Sequence, residues 1–229
     1  MSHVLRIGDK MVEVSASLLS LEKENAIKTL YNLEVAKIDY FHIDVMDGKF
    51  VEKNTTEIMK DYALTISHIS NLGLDVHLMV EDIEEFIDEY SMLEPKIITF
   101  HIEAVKDEER VKNIIDEIKN CGSKVGIAIN PDTSINEIKQ YLKYIHMVLV
   151  MTANPGKGKQ KLMPETLEKV KELKEYLCEN NLDIDIEVDC GINDVTAKEA
   201  IKAGANILAV GSYLTSSENI TEAVKSVRY

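Results

Sequence analysis

The chain is predicted to fold as a single-domain α/β protein, a (β/α)8 TIM barrel. Three observations predict it. Short apolar runs alternate with longer amphipathic stretches from one end to the other. Eight such runs occur in 229 residues, one β/α unit per roughly 28 residues, which suits a small barrel. Imidazole and carboxylate side chains gather toward the C-terminal ends of three runs, where barrel enzymes keep their chemistry.

In order, strands are expected at 11–16 (MVEVSA), 39–44 (DYFHID), 74–79 (LDVHLM), 96–101 (KIITFH), 124–129 (KVGIAI), 147–151 (MVLVM), 184–189 (IDIEVD) and 206–210 (NILAV). Each is expected to be followed by a helix. Helical spacing is clearest in Ala26–Leu33, Ile83–Tyr90, Val111–Ile118, Thr166–Leu177 and Ala197–Ala203. Gly73, Gly122 and Gly204 fall between a helical pattern and the next strand, as C-terminal capping glycines do. The strands are apolar nearly throughout, as in a parallel sheet covered on both faces. A doubly wound open sheet would also alternate, but no Gly-rich dinucleotide-binding turn follows the first or second strand. No composition shift marks a domain boundary. Residues 1–10 read as an N-terminal extension, either an added strand or a frayed end, and 11–229 as the barrel.

Composition narrows the function. The formal net charge of −14 argues against nucleic acid as a partner, because phosphate backbones need clustered Lys and Arg. It leaves room for a small phosphorylated ligand held in a local amide pocket. Cys121, Cys178 and Cys190 are widely spaced and odd in number, which is no disulfide framework and fits a reducing compartment. No run approaches the roughly 18–20 apolar residues of a membrane span, and MSHVLRIGDK has no signal-peptide apolar region. A cytoplasmic enzyme with a small-molecule substrate is the expectation.

The candidate site rests on His42, Asp44, His77 and Asp189. Residues two apart on a strand share a face, so His42 and Asp44 point together while Phe41, Ile43 and Val45 point toward the helices. A charged group inside a barrel is costly unless paired or bound to metal. Two imidazoles and two carboxylates suit Zn, Fe, Mn or Co better than Ca or Mg. Two carboxylates around one substrate also suggest acid–base chemistry beside a carbonyl. Taken alone, a His at a strand end is more often a hydrogen-bonded structural residue. His101 stays in that class, having no second inward-pointing acidic neighbour. Asp47, before Gly48, reads as a turn residue. An anion site is suggested by MTANPGKGKQ (151–160) and by Val210-Gly211-Ser212, whose glycines allow backbone N–H groups to approach an anion. Lys157 and Lys159 are either solvated loop charges or phosphate contacts.

FHIDVMDGKF, DVHLMV, ITFHIEA, VMTANPGKGKQ and IEVDCGI resemble, in order and along essentially the whole chain, the ribulose-phosphate 3-epimerase family. The resemblance implies a (β/α)8 barrel with a divalent metal, zinc foremost, that inverts C3 of a ketose phosphate. It implies that His42, Asp44, His77 and Asp189 are metal ligands and that Asp44 and Asp189 are the acid/base pair. Substrate contacts implied are Ser17, His77, Met46, Met79, Met151, Gly156, Gly158, Gly191, Gly211 and Ser212. The methionines would line the pocket and exclude water. Homo-oligomers, dimers or hexamers, are common in the family.

The chain departs from the family pattern in its substrate-facing loops. NPG-aromatic-Gly-Gly-Gln has become NPG-Lys157-Gly158-Lys159-Gln160. Cys190 replaces a glycine after the seventh strand, and the 51–58 loop lacks the usual Pro and Gly. Ribulose 5-phosphate is the default substrate, interconverted with xylulose 5-phosphate. An allulose 6-phosphate–type ketose is the alternative, because DYFHID and ENI (218–220) resemble that subgroup. A non-catalytic sugar-phosphate-binding barrel is a further reading. Decarboxylation or aldol cleavage is disfavoured, since related barrels use an Asp/Lys arrangement that the His42–Asp44 pair lacks.

Overall fold

The structure, a computed structural model, describes residues 6–7 and 10–228. Eight parallel strands close into one barrel: β1 (Glu13–Ser17), β2 (Tyr40–Met46), β3 (Gly73–Met79), β4 (Ile97–His101), β5 (Lys124–Ile129), β6 (Met147–Met151), β7 (Asp185–Asp189) and β8 (Ile207–Val210). They pair in chain order, and β8 closes onto β1 through Ile207↔Glu13 to Val210↔Ala16. The barrel is the predicted fold. Most residues of the expected 1–10 extension lie outside the described ones; Arg6–Ile7 pairs antiparallel with Lys10–Met11, so β1 begins at Glu13 rather than at 11.

The covering helices are α1 (Ala26–Val35), α2 (Thr56–Ile69), α3 (Ile83–Ser91), α4 (Glu108–Asn120), α5 (Glu165–Glu179), α6 (Thr196–Ala203), α7 (Ser212–Thr215) and α8 (Ile220–Val227). Their inward faces meet the outward faces of the strands. Leu30 and Leu33 of α1, Val111, Ile114, Ile115 and Ile118 of α4, and Val170, Leu173 and Leu177 of α5 join Phe41, Ile43 and Val45 in one buried shell. Each such side chain contributes roughly 1.5–3 kcal/mol by leaving water. No described helix is long and apolar enough to cross a membrane.

Three expectations are corrected. No α-helix follows β5. The connection instead makes two single 3₁₀ turns, Ile135–Glu137 and Leu142–Tyr144. Ile135, Ile138, Tyr141, Leu142 and Ile145 of this connection are buried against the barrel. Gly73 is no helix cap. It opens β3, where an added Cβ would lie 2.2 Å from Lys96 Cγ, so the missing side chain serves a close approach. Gly122 and Gly204 do end helices, with φ of 83° and 125°.

The third correction concerns the barrel interior, which is not apolar nearly throughout. Ile97, Ala128, Met147, Leu149, Met151 and Ile207 fill one side. The other is polar: Ser15, His42, Asp75, His77 and Glu187 are all fully buried. Period-two alternation points these residues inward from β1, β2, β3 and β7. The apolar side is tightly filled. A Cβ on Gly126 would stand 2.1 Å from Thr99 Oγ1 and 3.1 Å from Met147 Cε. Gly126→Ala is expected to lower the unfolding free energy by about 1–3 kcal/mol through overpacking. A urea midpoint equal to that of the wild type would show that this layer has slack.

Candidate active site

The register of the barrel assembles the site. Asp44 on β2 lies opposite His77 on β3, and Ser17 on β1 lies opposite His42. Asp189 ends β7, opposite Met151 of β6. His42, Asp44, His77 and Asp189 each offer one ligand atom, and these atoms lie within 4.8 Å of one another. All four side chains are buried.

Donor geometry tests whether a metal fits. His42 Nε2 lies 3.4 Å from Asp44 Oδ1. His77 Nδ1 lies 3.3 Å from the same oxygen and 3.9 Å from Asp189 Oδ2. Four donors at about 2.0–2.1 Å around a tetrahedral ion stand roughly 3.4 Å apart. His42 Nε2 and His77 Nδ1 are buried with no hydrogen-bond partner, although a buried nitrogen is costly to leave unsatisfied. The residues fit a divalent metal.

Each donor is also held from behind. Asp75 Oδ2 accepts from Ser15 Oγ at 2.7 Å and lies 2.6 Å from His42 Nδ1, which turns His42 Nε2 toward the site. Ser17 Oγ donates to Asp44 Oδ2 at 2.7 Å. His77 Nε2 is 2.9 Å from His101 Nε2, and His101 Nδ1 is 3.1 Å from Glu103 Oε2. His101 thus does have an acidic neighbour. It was missed because Glu103 lies in the 3₁₀ turn Ile102–Ala104 after β4, where strand alternation says nothing. Asp75 and Glu187 were also missed, although each stands two residues before a candidate ligand and so shares its face.

The buried charges set one another's protonation. Burial works against charge on His42, but the Asp75 and Asp44 carboxylates outweigh it and hold its pKa well above the usual imidazole range. Burial pushes Asp44 up; the His42 charge and the closeness of both imidazoles win, and its carboxyl ends below the usual range. Asp189 goes the other way: burial, then the Asp44 charge, raises it to about 7. Burial lowers His77 to about 4, so its ring is neutral at pH 7. Burial and the Asp75 charge push Glu187 well above a normal carboxyl, which favours its protonated form beneath the site.

A cavity opens above this cluster. Asp44, Asp189 and Ser17 form its floor with Met46, Met79 and Met151. Gly156 and Gly158 border it from the loop after β6, Gly191 from the loop after β7, and Gly211 and Ser212 from the start of α7. His77 does not line the cavity; it supports Asp44 from the side. Lys157, Lys159 and Cys190 also face the cavity. Cys190 adopts φ of 84°, left-handed backbone that a glycine accepts more readily, and its N–H donates to Asp189 Oδ1 at 2.6 Å. At Gly191, with φ of 68°, a Cβ would meet the Leu162 nitrogen at 2.3 Å, so only glycine lets the two loops touch.

The 51–58 loop folds against the site. Thr55 Oγ1 donates to the Asp44 carbonyl at 2.6 Å and accepts from Met46 N at 2.9 Å, which pins the end of β2. Phe50 packs on His101 with ring centroids 4.9 Å apart. Asp47 is the expected turn residue, accepting from the N–H groups of Lys49 and Phe50. Thr152 similarly joins β6 to β7, its hydroxyl donating to the Asp189 carbonyl at 2.7 Å. Neither threonine carries a sequence signal, because loop paths lack periodicity.

Comparison with known proteins places this geometry. Solved structures of similar shape include 3-hexulose-6-phosphate synthase from Salmonella typhimurium, 14% identical, with a TM-score of 0.67 over 94% of this chain and 96% of that one. KGPDC from Streptococcus mutans, 13% identical, gives 0.71 over 95% of each chain. At such identities the likeness is one of fold. Sequence relatives are much nearer. The ribulose-phosphate 3-epimerase of Methanocaldococcus jannaschii is 38% identical over 95% of this chain and 90% of its own. That of Bacillus subtilis is 35% identical over 95% and 99%. The profile of the Ribulose-phosphate 3 epimerase family matches residues 13–215, from the first residue of β1 to the last of α7. The chain therefore belongs to the ribulose-phosphate 3-epimerase family, a family of isomerases.

Proposed function

We propose that the protein is a metal-dependent 3-epimerase of a ketose phosphate, interconverting ribulose 5-phosphate and xylulose 5-phosphate. The observation that carries this reading is the pair of carboxylates, Asp44 and Asp189, whose proton affinities are driven apart in one buried site. Titratable partners set in opposite directions mark acid and base roles.

His42, Asp44, His77 and Asp189 would hold the cation, with zinc the best match to two imidazoles and two carboxylates. When bound, the cation supplies a Lewis acid that polarises the ketose oxygen beside C3 and eases loss of the C3 proton. The proton transfers belong to the chain. Asp44 comes from β2 and Asp189 from β7, so a sugar laid across the cavity floor has a carboxylate on each side. One takes the C3 proton from its face, and the other returns a proton to the opposite face, which inverts the centre. The step is redox-neutral, with one proton leaving and one arriving. Met46, Met79 and Met151 give this floor an apolar lining that keeps water from the carbanionic carbon.

The phosphate is assigned to the mouth of the cavity, between Gly156–Lys159 and Gly211–Ser212. Lys157 and Lys159 are exposed there, and among the described residues the Nζ of neither is paired with a carboxylate. In a chain of net charge −14 such cations suit a dianionic headgroup. The reading includes a homo-oligomer, supported by an exposed apolar stripe of Ile27, Tyr31 and Val35 along α1.

The deciding experiment follows C3-proton exchange in deuterated buffer by NMR, with ribulose 5-phosphate and allulose 6-phosphate in parallel. Exchange on ribulose 5-phosphate is expected to be the faster and to vanish on chelation. Asp189→Asn is expected to slow it by at least about 10²–10⁴-fold, the usual share of a general acid or base. Chelator-resistant exchange, or an Asp189→Asn protein of normal rate, would remove the mechanism. Faster exchange on the hexulose phosphate would move the substrate to that subgroup.

The lysines make a separate prediction. Replacing both Lys157 and Lys159 with Ala is expected to raise KM for the ketose phosphate by about three- to tenfold with kcat little changed, since the contact lies away from the reacting carbon. An unaltered KM would return both lysines to solvent.

A further inference from the structure

Two nitrogens face each other across 2.9 Å between His77 and His101, with room for one proton between them. Which ring owns it decides which nitrogen His77 turns bare toward Asp44 and Asp189. The answer comes from the far end of the chain of contacts. Glu103 Oε1 accepts from the Asn130 N–H at 2.7 Å and from the Thr133 hydroxyl. Glu103 Oε2 is left to His101 Nδ1 at 3.1 Å. An ionised carboxylate accepts only, so His101 Nδ1 carries a proton. Because His77 Nδ1 has no partner, the ring proton of His77 sits on Nε2 and is donated to His101 Nε2, which accepts, and His77 Nδ1 is left as an open lone pair. That nitrogen is the one without a partner, 3.3 Å from Asp44 Oδ1 and 3.9 Å from Asp189 Oδ2. His101 is fully buried and covered by Phe50, so water does not compete for the relay.

We propose that Glu103 and His101 are positioning residues that fix the tautomer of His77 and so present its bare Nδ1 to the divalent cation. The inference rests on the metal part of the reading above, but its structural core does not need the metal. The polarity is one-way. In Glu103→Gln the Asn130 N–H and the Thr133 hydroxyl still require an acceptor, so the side-chain oxygen stays with them. The amide NH₂ then faces His101 Nδ1. His101 must now accept there and donate from Nε2, His77 must accept at Nε2, and its proton moves to Nδ1, where it blocks the ligand position. One substitution, two residues from His101 and outside the ligand set, would thus invert two rings.

The test reads the tautomer and the metal separately. Two-dimensional NMR of metal-free protein labelled with ¹⁵N-histidine reports which His77 nitrogen carries hydrogen. Nε2–H is expected in the wild type and Nδ1–H in Glu103→Gln. Zinc affinity, measured by competition with a chromogenic chelator, is expected to fall about 10–100-fold in Glu103→Gln, as for loss of an orienting partner elsewhere. His101→Gln, whose amide oxygen can accept from His77 while its NH₂ serves Glu103, is expected to keep affinity within about tenfold of the wild type, whereas His101→Leu is expected to lose as much as Glu103→Gln. A wild-type His77 protonated on Nδ1 would overturn the proposal, as would an unchanged tautomer in Glu103→Gln. Equal zinc affinity in the wild type and Glu103→Gln would do the same. A wild type that binds no zinc would overturn the metal reading instead, while the NMR result still decides the relay.

Discussion

His42 sits between two carboxylates, with Asp75 below it at 2.6 Å and Asp44 above at 3.4 Å. This alternation of charge along the barrel axis is the constraint on which the polar half of the structure depends. An isolated ionised group in a protein interior costs several kcal/mol, and breaking one member of a buried pair leaves its partner uncompensated. Here opposite charges alternate, Ser15 donates to one oxygen of Asp75, and burial with the Asp75 charge disfavours ionisation of Glu187. The same compensation keeps the imidazole nitrogen and the Asp44 oxygen aimed at one point.

Stability and chemistry are divided between the two faces of the same strands. The outward residues of β2, Phe41, Ile43 and Val45, belong to the aliphatic shell under the helices. The inward residues His42, Asp44 and Met46 belong to the site. Because strand side chains alternate, one short sequence serves both purposes, and a one-residue slip would exchange them. The rigidity required of the donors is thus supplied by the closed barrel rather than by loops. The loops add what the strands cannot, by tying strand ends through Thr55 and Thr152 and by shaping the mouth with Gly156, Gly191 and Gly211.

What the sequence made legible follows from the same division. Alternating apolar runs located all eight strands, and the i, i+2 relation put His42 beside Asp44. Asp75 and Glu187 obey that relation too, but they lie inside apolar runs and look like isolated exceptions. The connection after β5 misled because its helix was expected from the repeating β/α count and not from any helical pattern in 130–146. Gly73 misled because a glycine between helix and strand has two uses, and only its distance to Lys96 separates them. Glu103, Thr55 and Phe50 depend on how loops turn in space, which no local pattern encodes.

The loop after β2 and the loop after β6 interlock at one point. A Cβ on Gly156 would stand 2.8 Å from Val51 Cβ, so these two backbones meet side chain against bare backbone. They come from opposite walls of the mouth, yet neither can be rebuilt without the other. An insertion or a bulkier residue in one would pry up its neighbour, together with the glycines that border the cavity. Natural variation at this mouth should therefore be inherited as a matched set rather than position by position. On this view the lysines at 157 and 159 and the proline-free stretch after Val51 are halves of one coordinated departure.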